Sequence, residues 1–161
     1  MKFGFTIPID VQLCKFDSED QSIEEIIETI FLVEDDVTMC WNGFSISVSL
    51  KYDISNMWND IEMMMDSLRR GVDEFSIHWP SSSFMARWNF KVKNELILIT
   101  AFWTEIGVRD DVLIALRDTE NQIITIPFDE YVDAWEDLQI FVVNCIEKAG
   151  YNLKEFIDWR T

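Results

Sequence analysis

Residues 37–52 read Val37-Thr38-Met39-Cys40-Trp41-Asn42-Gly43-Phe44-Ser45-Ile46-Ser47-Val48-Ser49-Leu50-Lys51-Tyr52. Val37, Met39 and Trp41 alternate up to Asn42-Gly43. Phe44, Ile46, Val48, Leu50 and Tyr52 alternate after it, with Ser45, Ser47, Ser49 and Lys51 on the other face. Period two is the spacing of a strand with one buried face. Asn-Gly supplies the positive φ angles of a two-residue type I′ turn. The stretch therefore reads as a β-hairpin, and its wet serine face points to an antiparallel sheet solvated on one side.

Upstream, Phe3, Phe5, Ile7 and Ile9 alternate with polar or small residues, and Val11 and Leu13 continue the phase. This predicts a first strand that Pro8 confines to an edge or a bulge. Ser22-x-x-Glu25 is a capping box, followed by Ile23, Ile26, Ile27, Ile30 and Phe31 at helical spacing, which predicts a helix over about residues 22–33, with a strand as the alternative that its β-branched content leaves open. Downstream, Met57, Trp58, Ile61, Met64, Met65 and Leu68 mark an amphipathic helix that Asp53 or Ser55 can cap and Gly71 can end. Met63 falls off its apolar stripe. Phe75, Ile77 and Trp79 form a short strand stopped by Pro80, and Phe84 to Val92 form another. Asn94-Glu95 then turns the chain into the apolar run Leu96 to Trp103, suited to a central strand. Val112 to Leu116 and Ile123 to Phe128 read as a further hairpin. Asp129 opens the longest helix, ending at Gly150, with a buried stripe of Tyr131, Trp135, Leu138, Val142, Cys145 and Ile146, and Tyr151 to Trp159 add a last helical turn or two. The fold class is α+β: one domain over residues 1–161, with an antiparallel or mixed sheet of about six to eight strands and three or four helices.

The chain has 161 residues, 48% of them hydrophobic, with seven Trp and twelve Phe, too apolar for intrinsic disorder. Asp10 interrupts the N-terminal apolar residues before a signal-peptide core builds up, and no window is apolar enough for a membrane span. Cys14, Cys40 and Cys145 are odd in number and far apart, so free thiols in a cytoplasmic, reducing compartment are expected. No C-x-x-C motif, glycine-rich phosphate cradle or calcium loop occurs, and neither a cofactor nor a metal is expected. His78 is the sole histidine. It alternates with Ile77 and Trp79 and so points away from them, and no serine or cysteine motif accompanies it. Arg87, Lys91 and Lys93 share one strand face, opposite Trp88 and Phe90, which reads as a wet face and not a nucleic-acid stripe.

Charge carries the remaining information. Thirty acids face thirteen bases, a net charge of −17, which repels a phosphate backbone and makes a direct nucleic-acid partner unexpected. Residues 129–147 hold six acids and no base. Asp129, Asp133 and Asp137 are successive i, i+4 neighbours, each pair costing an isolated helix roughly 0.2–0.5 kcal/mol. The helix dipole offsets acids of the first turn, but Glu136 and Asp137 lie beyond it. Two readings of such repulsion stand side by side: a field displayed for a partner, which by its sign would be a cationic protein, or acidity that only keeps an aromatic-rich chain in solution. The partner-binding candidates are Asp129, Asp133, Glu136 and Asp137 together with the run Glu34, Asp35 and Asp36.

A strongly acidic, Trp-rich α+β chain with the helix Asp129-Glu130-Tyr131-Val132-Asp133-Ala134-Trp135-Glu136-Asp137-Leu138 and strand pairs around Trp88 and Trp103 resembles the immunity proteins of bacterial polymorphic-toxin and contact-dependent growth inhibition systems. The resemblance is one of general character. It implies a cytoplasmic protein that neutralises a cognate basic toxin domain, a nuclease by the charge, by tight association, without catalysis, cofactor, small-molecule substrate or membrane partner. Two other classes stay open. A carboxylate-based or metal-dependent hydrolase needs two carboxylates across a cleft, or a metal. A non-catalytic adaptor subunit needs a large exposed apolar patch.

Overall fold

The computed structural model describes residues 1–107 and 110–153. Strand β1 (Phe3–Thr6) pairs antiparallel with β2 (Asp36–Trp41), which pairs with β3 (Phe44–Ser49) to complete a three-stranded sheet. The β2–β3 hairpin turns at Asn42 (φ 49°) and Gly43 (φ 85°), as its sequence predicts. The first strand is shorter than the alternation suggests. Pro8 cannot donate to a ladder, and beyond Thr6 the chain leaves the sheet, with Ile9 fully exposed and Val11 and Leu13 only leaning on the core.

Helix α1 (Ile23–Ile30) begins at Ser22, whose hydroxyl accepts from the Glu25 N–H, while the Glu25 carboxylate reaches back to the Gln21 N–H. It ends three residues before residue 33, because the Asp35 carboxylate accepts the Leu32 N–H and closes a turn. Strand β3 likewise stops at Ser49 instead of running to Tyr52. The Ser49 hydroxyl accepts from the Tyr52 N–H and the Asp53 carboxylate accepts from the Ser49 N–H, so side chains take the place of ladder partners. One π-helical turn, Leu50–Ile54, then leads directly into α2 (Ser55–Arg69). Neither Asp53 nor Ser55 caps that helix: the Ser55 hydroxyl donates back to the Lys51 and Tyr52 carbonyls. Gly71 ends the segment at φ 74°.

The second sheet has the order β4 (Glu74–Ser81), β5 (Phe84–Lys93), β6 (Leu96–Ile106) and β7 (Ile123–Pro127), all antiparallel. Pro80 lies inside β4 and does not stop it, because β4 is an edge strand where a missing N–H is tolerated. Asn94 and Glu95, both at positive φ, form the β5–β6 turn. The expected hairpin at 112–128 does not form. Residues 110–116 are helix α3 (Asp110–Leu116), and β7 pairs with β6 instead. Leu113 and Leu116 are buried one helical turn apart while Ile114 is exposed, so period three wins over the apolar run. Helix α4 (Phe128–Lys148) buries every residue of its expected stripe, plus Gln139. The helical turns expected beyond Tyr151 fall mainly on residues 154–159, outside the described residues.

The two sheets and α4 meet in one aromatic cluster. Phe3 and Trp41 of the first sheet contact Trp88 of the second at ring separations of 6.2 and 4.8 Å, and Trp79 stacks on Trp135 of α4 at 5.6 Å. The Trp41 indole donates to the Asn121 carbonyl, whereas Trp58, Trp79, Trp88 and Trp103 bury N–H groups with no acceptor among the described residues. For Trp79, Trp88 and Trp103 the neighbouring aromatic rings are the compensation available. Among the described residues, seven strands and four helices thus make an α+β fold with α4 held by its apolar stripe.

Candidate functional site

Because Tyr131, Trp135, Leu138 and Val142 lock the inner face of α4, the acids between them must project outward. Asp129, Glu130, Asp133 and Asp137 are exposed, and none makes an ion pair or hydrogen bond with another described residue. Glu136 differs: its carboxylate meets Arg69 of α2 at 2.8 Å. Four of the five acids on this face therefore keep their full field. One turn further along, Ile140 is 48% exposed, an apolar side chain set in the acidic face that sequence patterning does not single out.

Glu34, Asp35 and Asp36 are divided among three roles. Glu34 is exposed. Asp35 is a turn residue: its carboxylate accepts the Leu32 N–H at 2.7 Å and its carbonyl accepts the Leu50 N–H. Asp36 opens β2 and accepts from the Ser47 hydroxyl at 2.7 Å. None of the α4 acids lines the cleft that Asp36 lines, so the two groups of candidates do not form one site. A further acidic groove, with Asp17, Asp20, Glu25 and Glu28, lies along α1. Beside it the Tyr151 hydroxyl donates to Asp20 at 2.6 Å, and burial, together with the Asp20 and Asp17 carboxylates, pushes it up to about 12. No three acids, histidines or cysteines converge as metal ligands among the described residues.

The cleft beside Asp36 has a volume of about 250 Å³ and sits where the edge strand β3 meets the ends of β5 and β6. At its base Asp53 is only 2% exposed. Its carboxylate accepts from the Ser49 N–H at 2.8 Å and from the Ser81 and Ser83 hydroxyls, tying β3 to the β4–β5 turn. In sequence Asp53 resembles a helix cap. The signal that distinguishes it is the density of nearby hydroxyls, Ser45, Ser47, Ser49, Ser81, Ser82 and Ser83, which only the fold brings together.

His78 and the basic row stand where alternation places them. His78 lies opposite Arg87 on the outer face of the second sheet, with Ile77 and Trp79 inside. Arg87 covers the Phe102 ring at 4.6 Å, and Trp88 and Phe90 are buried on the far side. Burial raises Asp60 on α2 above the usual carboxylate range, which the nearby His78 partly opposes.

Fold and surface together define an α+β chain built round an aromatic core, with an exposed acidic helix face, paired among the described residues only at Glu136, and a separate hydroxyl-lined cleft. Compared with known proteins, the chain matches no family, no curated protein and no solved structure. No helix among the described residues is long and apolar enough to cross a membrane.

Proposed function

We propose that this chain is a binding protein that captures a basic protein domain on the outer face of α4. In this reading, following the immunity proteins it resembles, it neutralises a cognate toxin, a nuclease by the charge, in the cytoplasm. The observation that carries the reading is the row Asp129, Asp133 and Asp137: exposed, without an ion pair among the described residues, and continued by the exposed Ile140. Like charges spaced one turn apart destabilise the free helix, so their retention is accounted for by a partner that supplies the missing cations. A negative face steers a basic partner and raises its association rate. Carboxylates against Arg and Lys then make charge-assisted hydrogen bonds, with Ile140 as an apolar contact at the end of the row.

The test is the triple charge reversal D129K/D133K/D137K, assayed by stopped-flow association with a candidate basic toxin domain. Association should slow by about tenfold or more at low salt, and its salt dependence should flatten. An unchanged rate and salt slope would remove α4 as the docking face.

A further inference from the structure

We infer that the cleft between β3 and the β4–β5 turn is a binding site for a guanidinium group carried on an aliphatic stem. The motive is a buried carboxylate that meets no counter-ion among the described residues. Asp53 is almost wholly buried, yet every donor it meets is neutral: one backbone N–H and two serine hydroxyls. A carboxylate presents about four lone-pair sites, so three donors leave one open. A desolvated carboxylate is costly unless a cation pairs with it. No Lys, Arg or His is among the described residues lining the cleft. Lys51, the neighbouring cation in sequence, is turned to the Glu28 carbonyl and to the Tyr52 ring.

The rest of the cleft has the matching character. Asp36 adds a second carboxylate, exposed at the rim. Ser47 spends its hydroxyl proton on Asp36, and Ser83 spends its own on Asp53, so both oxygens have lone pairs left for an incoming donor. The lining thus sets two carboxylates, Asp36 and Asp53, in one cleft. That disfavours carboxylate and phosphate ligands and suits a cation, and the planar guanidinium, with five donors in a fork and no acceptor, matches carboxylates better than a compact ammonium. Val33, 63% exposed, and Tyr52, 43% exposed, with Ile46 and Ile106, supply apolar walls for an alkyl stem. Such a group reaches the cleft either as an arginine side chain on a protein surface or as a free small guanidinium compound. The inference does not rest on α4 docking, since no α4 residue lines the cleft.

The experiment is an amide NMR titration of the full chain with N-acetyl-arginine amide, with agmatine, and with N-acetyl-citrulline amide as the uncharged isostere. The two guanidinium probes should shift the amides of Ser47, Ser49 and Ser83, and the citrulline probe should not. Asp36→Asn should weaken binding by about fivefold through loss of one charge-assisted contact. Ser45→Trp, at an exposed position on the cleft wall, should block binding while leaving Asp53 and its three hydrogen bonds in place. Agmatine binding about a hundredfold tighter than capped arginine assigns the site to a free small molecule; comparable binding assigns it to a protein arginine. Equal shifts from citrulline, shifts mapping elsewhere, or undiminished binding by the folded Ser45→Trp protein would overturn the inference. Because these probes need no protein partner, the outcome is independent of the α4 charge-reversal result.

Discussion

At the scale of single residues, one buried carboxylate joins segments far apart in sequence. Asp53 satisfies at once the Ser49 N–H, the Ser81 hydroxyl at the end of β4 and the Ser83 hydroxyl of the β4–β5 turn. Its removal strands those donors, and an unmet buried donor costs about 1–3 kcal/mol. Asp53→Ala should therefore lower the unfolding free energy by about 3 kcal/mol in urea titrations, allowing for partial rehydration of Ser83; a loss below about 0.5 kcal/mol would mean the hydroxyls find water instead. Cys145 gives a pH signature. Burial, with Asp35 adding to it and Lys148 opposing it, raises the thiol from 9.0 to about 11. The unfolded thiol ionises first as pH rises, so this contribution is intact below pH 9.0 and is lost progressively between 9.0 and about 11. Cys145→Ala should flatten the stability curve across that interval relative to the parent, measured by denaturation at stepped pH; parallel curves would count against a buried thiol. Neither role is visible in the sequence, where Asp53 has the spacing of a cap and Cys145 is one more position in an apolar stripe.

At the scale of elements, what was legible is what local chemistry dictates. Asn42-Gly43, the Ser22 cap and the α4 stripe each carry their own geometric reason, and each forms as read. The misread elements are those where a long-range partner decides. Residues 112–116 form a helix because Leu113 and Leu116 face the core, while the edge of β6 goes to β7. Pro80 stays in a strand because β4 has one free edge. For the candidate site, the sequence shows where acids are dense but not which are free. Arg69 neutralises Glu136 from 67 residues away, and Asp35 is spent on a turn. The two faces of α4 should then differ sharply on substitution. Trp135→Ala, in the middle of the aromatic cluster, should cost about 3–5 kcal/mol. Glu136→Gln should cost under about 1 kcal/mol, because both partners of its ion pair are substantially exposed. Thermal unfolding of both variants checks the contrast, and a large loss from Glu136→Gln would mean that the bridge holds α2 onto α4.

At the scale of the whole molecule, the aromatic cluster and the surface charge pull in opposite directions. Trp41, Trp79, Trp88 and Trp135 bind two small sheets and a helix into one core, which neither sheet could bury alone. Around that core a net charge of −17 repels itself. Among the described residues only two surface ion pairs, Arg69–Glu136 and Arg70–Asp66, draw opposite charges together, and both are of the weak exposed kind. Screening should therefore relieve more repulsion than it removes attraction. Raising salt shortens the screening length from about 30 Å at 0.01 M to about 10 Å at 0.1 M. The free chain should accordingly gain a few degrees in Tm over that range, since each kcal/mol corresponds to about 2–4 °C in a chain of this size. The same salt should slow capture of a basic partner, because it screens the attraction that speeds encounter. A protein that stabilised itself with its acids would respond the other way, losing Tm as salt rises. Scanning calorimetry of the free chain beside stopped-flow association, across one salt series, separates the two cases: opposite trends mark acids displayed for a partner, and a falling Tm marks acids already used within the fold.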